Sequence, residues 1–507
     1  MRAARAGENL LLALLVLAGV VPLGIFLGQA IAEHGSITGA TGIFPADQLQ
    51  YLAWIRDAGE HGLAASRFDL VSAKHVLLDP LFEGSALAWR IGLPIQAAYL
   101  LWLPVAVLVL FGGFRAYVRR TLPDSAIDRA IALGLALFFT TPVLPLLDWT
   151  GAIGSGSQRD FLQLAVDVNP AGQLWGYFPI AIVLGLFAYA MLWVERSIEE
   201  PRYAVRAALA ALLIAWLHPW EGLTLIIILL VLALLGRPLR SYAPLALPLV
   251  AAGLPLVYFA VLPHVDEAWK IARDQNSLGG SGWRMVLGTV GPLALLALGR
   301  PRLAGLSVQG RILVIWPLSA LFVYWLAPPY QIHALETMPL PLAVLALRGW
   351  QFLPARRLVL TGCAALLSVP GLVYLSSRLN ESADQFRAAY VLSGGDTRAL
   401  RFLAHDPAPG GVLARVPQSV AVPGLTDRDT WIGHPSWTPA FQLRESEANQ
   451  LFAGQLAPEV ARRRVLRIGA PIVFAACDSS PRLAADLRPI VASERRFGCA
   501  TVFRIRR

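Results

Sequence analysis

Long uncharged apolar runs, separated by short arginine-bearing breaks, dominate the first three-quarters of the chain. They cover residues 9–32, 91–114, 130–147, 168–194, 207–220, 222–236, 241–265, 285–299, 312–335, 337–347 and 358–377. An ionised side chain at the bilayer centre costs about 2.5–3.5 kcal/mol, so such runs mark membrane spans. Seven of them have 18 or more residues, close to the roughly 20 helical residues that cross a hydrocarbon core of about 30 Å. The runs 207–220, 222–236, 285–299 and 337–347 are short. They span only if Arg206, Arg237, Arg284 or Arg348 snorkels, or they form broken or re-entrant helices. The pattern predicts a polytopic α-helical membrane protein with about eleven transmembrane helices. After residue 377 the pattern changes. Strand-like runs at 411–416, 471–477 and 499–505 alternate with helical ones at 397–404, 445–452 and 458–468, which predicts a C-terminal soluble α/β domain.

Composition sharpens this division. Apolar residues make up 56% of the 507 positions, and the 43 glycines raise that share to roughly 64%, against about 45–50% for soluble domains. A water-soluble enzyme is excluded, as are a disordered chain, a collagen-like fibre and a disulfide-stapled miniprotein. Residues 378–507 hold 30 of the 76 charged residues, or 23% of that segment; residues 1–377 hold 46, or 12%. The expected domains are therefore a membrane body, 1–377, and an exposed domain, 378–507.

Charge bias then sets orientation. With the N-terminus cytoplasmic, 17 basic residues fall on inside segments and 8 on outside ones, the positive-inside asymmetry. The inside set includes Arg115, Arg119, Arg120, Arg129, Arg237, Arg300, Arg302, Arg348, Arg356 and Arg357. The first run reads as an uncleaved span, since it has 24 residues and no Ala-x-Ala site closes it. Two lysines against 41 arginines suggest a GC-rich bacterial genome, hence an inner membrane with the tail in the periplasm. Cys363 sits in the last span as a packing residue. Cys477 and Cys499 lie in two strand-like stretches, where a periplasmic setting permits a bond. No clustered basic and aromatic groove points to nucleic acid.

The cytoplasmic loops are short and basic, whereas the outside loops at 33–90, 148–173 and 264–283 are long, with shorter turns at 218–222 and 327–333. Loops of that length on one face usually carry function. In the first loop Pro45 opens a helix with Asp47 in its first turn, and Asp47, Tyr51, Trp54 and Ala58 form one stripe beside an apolar side of Leu49, Leu52 and Ile55. The stretch reads as an amphipathic helix lying on the membrane surface. Taken alone, Asp47 serves the helix dipole. In His218-Pro219-Trp220-Glu221-Gly222 an ionisable pair lies at the outward end of two short spans. This is either a functional pair or a tight turn in which Glu221 pairs with His218. No Walker loop, dinucleotide fingerprint or His-Glu-x-x-His is present.

With these residues in place the chain resembles a family. The N-terminal span, the large outward loop with an acid opening a surface helix (Ala46-Asp47-Gln48-Leu49) and the many further spans look like the GT-C superfamily of membrane glycosyltransferases. The tail strengthens the likeness. Pro423-Gly424-Leu425-Thr426-Asp427-Arg428, Trp431-Ile432-Gly433-His434, Trp437-Thr438-Pro439 and Phe452-Ala453-Gly454 are similar to a P-x-TGR-x-VY-x-GH…T…FF-x-G run in outward domains of bacterial members. Asp427 stands where glycine is usual, and Trp431 where tyrosine is.

The resemblance implies an inverting transfer in which a polyprenyl-phosphate sugar is the donor and Asp47 the catalytic base, taking the acceptor's hydroxyl proton. The acceptor would be a cell-envelope glycan, lipid or protein. Cations must meet the charge developing on the leaving lipid phosphate. The outward groups able to do so are Arg159, His264, Lys270, Arg273 and His333, the last at a place where members often carry arginine. Asp79, Glu83 and Asp160 are second acids able to hold Mg²⁺ or Mn²⁺ through oxygen. Trp431, His434 and Trp437 form an aromatic cluster suited either to stacking on sugar rings or to a packed core. The rival reading is a transporter or flippase of lipid-linked envelope intermediates. Transporters more often show repeated halves and charges deep in spans, and neither is evident here.

Overall fold

The structure, a computed structural model, describes residues 2–123, 125–236, 239–276, 282–298, 307–326, 331–350 and 355–506. Arg237, Arg300 and Arg302, and residues 328–330 before His333, lie outside the described residues.

Among the described residues every apolar run carries helix over most of its length. Among the described residues, six helices are long and apolar enough to span: Ala6–Ala32, Ile95–Thr121, Phe178–Ser197, Arg240–Val265, Val308–Leu326 and Arg356–Gln385. Ala126–Phe138 and Val143–Trp149 make a seventh span if taken together, bent by 51°. The four short runs correspond to Tyr203–Leu217, Pro219–Leu235, Trp283–Ala297 and Pro339–Gly349. Pro219 and Pro339 each open a helix, where the ring is tolerated because the first turn has no donor to lose. Pro339–Gly349 is buried along nearly its whole length, as a segment enclosed by other helices must be.

The chain divides into two compact units. The first comprises residues 1–20, 102–260 and 277–378; the second comprises 21–101, 261–276 and 379–507. In the first unit Trp102–Thr121 packs on Phe178–Ser197 at a glycine crossing. A Cβ on Gly113 would lie 2.2 Å from the Gly185 carbonyl oxygen, so only glycine lets these backbones approach, the usual device where lipid supplies no hydrophobic drive. Arginines expected on one face share acids: Arg115 and Arg119 hold Glu8, Arg120 holds Glu195, and Arg356 and Arg357 hold Asp128. Leu108, Val250, Leu254, Val257, Leu295 and Leu358 point out of the helices that carry them and are exposed, as lipid-facing side chains are.

The second unit contains the strands β1 (Ser36–Ile37), β2 (Val391–Leu392), β3 (Val412–Leu413), β4 (Ile472–Ala475), β5 (Val491–Phe497) and β6 (Ala500–Ile505). β1 and β2 form an antiparallel pair with Ser36 opposite Leu392. The other four form a sheet in the order β3-β4-β6-β5, parallel only between β3 and β4. Helices cover both faces, so alternate side chains serve two cores. Leu413, Val473 and Phe503 join Ile432, Phe452 and Val465 on one side. Val412, Ile472, Phe474 and Val502 join Leu400, Leu403 and Val422 on the other. β5 has no sequence signal because it is an exposed edge strand, Val491-Ala-Ser-Glu-Arg-Arg-Phe497, whose charges blunt its free side.

Cys477 and Cys499 form a disulfide across 22 residues of sequence, which fits an oxidising compartment. A loop of this size implies about 3 kcal/mol of stabilisation in the chain-entropy account. Cys477→Ser is therefore expected to lower the unfolding free energy of the full chain by about that amount, read by denaturant melts with and without reductant. Identical wild-type melts in the two conditions would show that the bond does not contribute.

Candidate functional site

The first-loop helix runs from Pro45 to His61, with Pro45 at its first position and Gly62 closing it at φ 84°. Leu49, Leu52 and Ile55 are buried, as are Gln48, Gln50 and Asp57. The expected surface-lying helix is thus corrected: its apolar side is covered by protein of its own unit. Its main partners are the helices Gln418–Thr426 and Pro80–Arg90. A Cβ at Gly424 would lie 2.9 Å from Cβ of Leu52 and 3.0 Å from the Ala53 nitrogen, so the tail's Pro-Gly step lets the two helices meet.

That approach places the first-loop stripe against the tail turn 434–438. His434 Nε2 lies 2.7 Å from Asp47 Oδ1. The other ring nitrogen accepts the Ser436 backbone N–H at 3.0 Å, which requires Nδ1 to carry no proton. In the neutral ring the proton therefore sits on Nε2 and is donated to Asp47. The turn is itself anchored. Ser436 Oγ donates to Asn276 Oδ1, Gln275 donates to the Thr438 carbonyl, and Thr438 Oγ1 accepts from Gly433 N–H. Trp437 meets Trp54 and Trp269 edge-on, at 5.3 and 4.9 Å between ring centroids. His434 is buried, while the Asp47 side chain keeps 37% of its surface exposed. An accessible carboxylate held by a fixed donor can accept a proton from a bound hydroxyl.

His434→Ala is expected to slow turnover by about 100-fold through misplacement of the carboxylate, with KM little changed. His434→Gln, which keeps a donor, should recover part of the rate. Wild-type turnover in His434→Ala would remove the positioning role.

The remaining candidates separate. Tyr51 is half-buried among Trp54, Phe82 and Tyr99. Asp79 caps the helix Pro80–Arg90, its Oδ1 accepting the N–H groups of Leu81 and Phe82 at 2.9 and 3.2 Å. Glu83 lies in the first turn of that helix, and burial raises its pKa. His264 is exposed at the end of the helix Ala246–Val265. Lys270 and Arg273 are exposed on the helix Glu267–Gln275, paired with Glu267 and Asp274. All of these belong to the second unit. Arg159 (exposed) and Asp160 (half-buried) lie on the helix Ser155–Asp167 of the first unit. Among the described residues, neither Asp47, Asp79, Glu83 nor Asp160 belongs to a group of three His, Cys, Asp or Glu side chains close enough to share an ion.

Burial pushes the Asp79 carboxyl up to about 7, against roughly 4 for an unfolded aspartate. Both backbone bonds go to Oδ1, so Oδ2 can hold a proton without breaking the cap. The folded chain thus binds this proton more tightly than the unfolded one, and Asp79 erodes stability as pH rises from about 4 to about 7. Asp79→Asn, which keeps the cap, should remove that part of the pH dependence. Parallel melting profiles of the two proteins across that window would contradict it.

His218, Glu221 and His333 come together in the first unit. His333 Nδ1 lies 2.7 Å from Glu336 Oε1 and 3.6 Å from Asp167 Oδ2. His218 faces Glu336 Oε2 at 3.8 Å, in place of the expected partner Glu221, which is fully buried beside Thr337 and Glu336. Trp220 packs on both imidazoles. Carboxylates around His333 suit a cation better than a phosphate.

Sequence reasoning placed His434 only in an aromatic cluster, and Trp431 and Trp437 beside it as sugar platforms or core. Trp431 packs in the core beneath the Arg444 guanidinium, and Trp437 is buried as well. The signal for His434 was the Gly433-His434 step of the tail run. Asn276 and Gln275 carry none, because only the fold brings 261–276 to that turn.

No protein-family model matches the chain, and no curated protein matches it by sequence. Solved structures do match in fold. ArnT from Cupriavidus metallidurans, crystallised with undecaprenyl phosphate, superposes over 95% of this chain and 97% of its own, with a TM-score of 0.50 at 13% identity. The oligosaccharyltransferase of Archaeoglobus fulgidus, tethered through a disulfide to an acceptor peptide containing the NVT sequon, superposes over 93% of this chain and 69% of its own. Its TM-score is 0.51 at 12% identity. In fold the chain is similar to these two proteins: mostly helical, with apolar helices long enough to span a membrane and a small C-terminal sheet.

Proposed function

We propose that the chain is an inverting membrane glycosyltransferase that moves one sugar from a polyprenyl-phosphate donor to a cell-envelope acceptor on the periplasmic face of a bacterial inner membrane. The observation that carries this reading is the exposed Asp47 carboxylate fixed by the Nε2 proton of His434. Asp47 takes the acceptor hydroxyl's proton as its oxygen attacks the anomeric carbon from the side opposite the phosphate. The bond from that carbon to the phosphate oxygen breaks, and the lipid phosphate leaves with the electron pair. Its charge calls for cations. Lys270 and Arg273 are candidates, since exposed ion pairs hold a side chain by only about 0–1 kcal/mol; Arg159 and His264 are others. Likeness over nearly the whole of an undecaprenyl-phosphate-binding protein favours this reading over a transporter, and the disulfide supports an outward tail.

The test is reconstitution of the full chain in lipid vesicles with radiolabelled polyprenyl-phosphate sugars and envelope extract. Label passing to an acceptor, with lipid phosphate released in equal amount, is the expected result. Movement of the labelled lipid between leaflets without sugar transfer would replace the proposal with the transporter.

A further inference from the structure

Where the helix Pro219–Leu235 begins, the first unit buries two carboxylates beside two imidazoles. One nitrogen of His218, one of His333 and one carboxylate oxygen of Glu336 lie within 4.8 Å of each other. We propose that these three side chains bind a divalent transition-metal ion of the zinc class.

Two imidazoles and one carboxylate are a donor set that suits zinc and its neighbours, whereas Mg²⁺ and Ca²⁺ prefer oxygen alone. The spacing agrees. Ligands of a tetrahedral ion with bonds of about 2.0–2.1 Å stand roughly 3.3 Å apart; Glu336 Oε1 lies 2.7 Å from His333 Nδ1 and its Oε2 3.8 Å from His218 Nδ1. The second is too long for a hydrogen bond. Neither His218 Nδ1 nor Glu336 Oε2 has a hydrogen-bond partner among the described residues, although both side chains are more than nine-tenths buried. Groups left in that state call for an occupant.

Charge points the same way. Glu221 and Glu336 are fully buried and repel each other. Among the described residues neither has a lysine or arginine partner. Buried carboxylates without a cation are costly, and a dication would supply the missing positive charge. Three protein ligands leave one position for water, the pattern of an open zinc site. A second group, Asp57 with His61 and His75, is less suited, because Arg67 already holds the Asp57 carboxylate at 2.7 Å. The inference does not rest on the transferase reading.

The experiment uses the purified full chain in detergent, stripped with chelator, loaded with Zn²⁺ and desalted. Elemental analysis should give about one retained ion per chain in the wild type and in a His61→Gln/His75→Gln variant. Glu336→Gln and His333→Gln should retain at least about tenfold less. A second measurement needs no variant: Co²⁺ added to the stripped wild type should show the visible d–d bands of a four-coordinate ion, abolished by Zn²⁺. A wild type that keeps no zinc and shows no bands overturns the proposal. So does loss of the ion in the His61/His75 variant instead.

Discussion

Asp47→Asn is expected to lower the rate of sugar transfer by about 10²–10⁴-fold, the range lost with a general base, and to leave the protein folded. The reason for intact folding is geometric. The asparagine carbonyl can accept the Nε2 proton of His434 that the carboxylate accepts now, so the bond between the first loop and the tail survives. What disappears is an oxygen basic enough to take the acceptor's proton. The measurement is initial rate in the reconstituted assay beside a thermal melt of the same preparation. Transfer within a few-fold of wild type, with an unchanged melt, would remove Asp47 from the chemistry. A collapsed melt would be answered by Asp47→Glu, which keeps a carboxylate one methylene further out and should transfer measurably.

The second large effect is on stability. Arg428 is buried, and its guanidinium donates to four backbone carbonyls, those of Leu403, Asp406, Ala408 and Gly410. Arg428→Met should cost at least about 3 kcal/mol, since each buried carbonyl left without a donor costs roughly 1–3 kcal/mol. Arg428→Lys should recover only part, because a single ammonium cannot serve four acceptors spread around a planar fork. Denaturant melts of the full chain check both. A loss below about 1 kcal/mol in Arg428→Met would mean that water replaces the guanidinium.

These two residues show how far the sequence could be read. The membrane body was legible because charge is expensive in hydrocarbon, and each apolar run carries a helix among the described residues. The number of full spans was less so: Glu221, Arg284, Glu336 and Arg348 cut apolar stretches into short runs, and Pro219 and Pro339 set where two of the short helices begin. In the tail, the three expected strands and three expected helices are present, while β5 and the helix Gln418–Thr426 were missed, the first polar and the second carrying an internal proline. Asp427 is instructive. It departs from the glycine usual in the tail run, and it adopts φ 61°, ψ 32° at the end of that helix, a left-handed conformation that aspartate tolerates better than most residues. The conformation is kept although the residue differs. Asp79, read as a second acid, caps a helix, and no pattern of spacing separates those two uses of a carboxylate. The anchoring of His434 by Asn276 was invisible, because the contact joins segments with nothing in common along the chain.

The distance in sequence between Asp47 and His434, 387 positions, has a consequence for how the protein is made. A ribosome adding about 5–20 residues per second needs on the order of 20–80 s to pass from one to the other. Throughout that interval Asp47 is already part of the nascent chain while the imidazole that orients it does not yet exist. The segment carrying Asn276 appears midway, also without its partner. A growing chain is thus unable to assemble the Asp47–His434 pair before residue 434 has been added, long after the first span has been made.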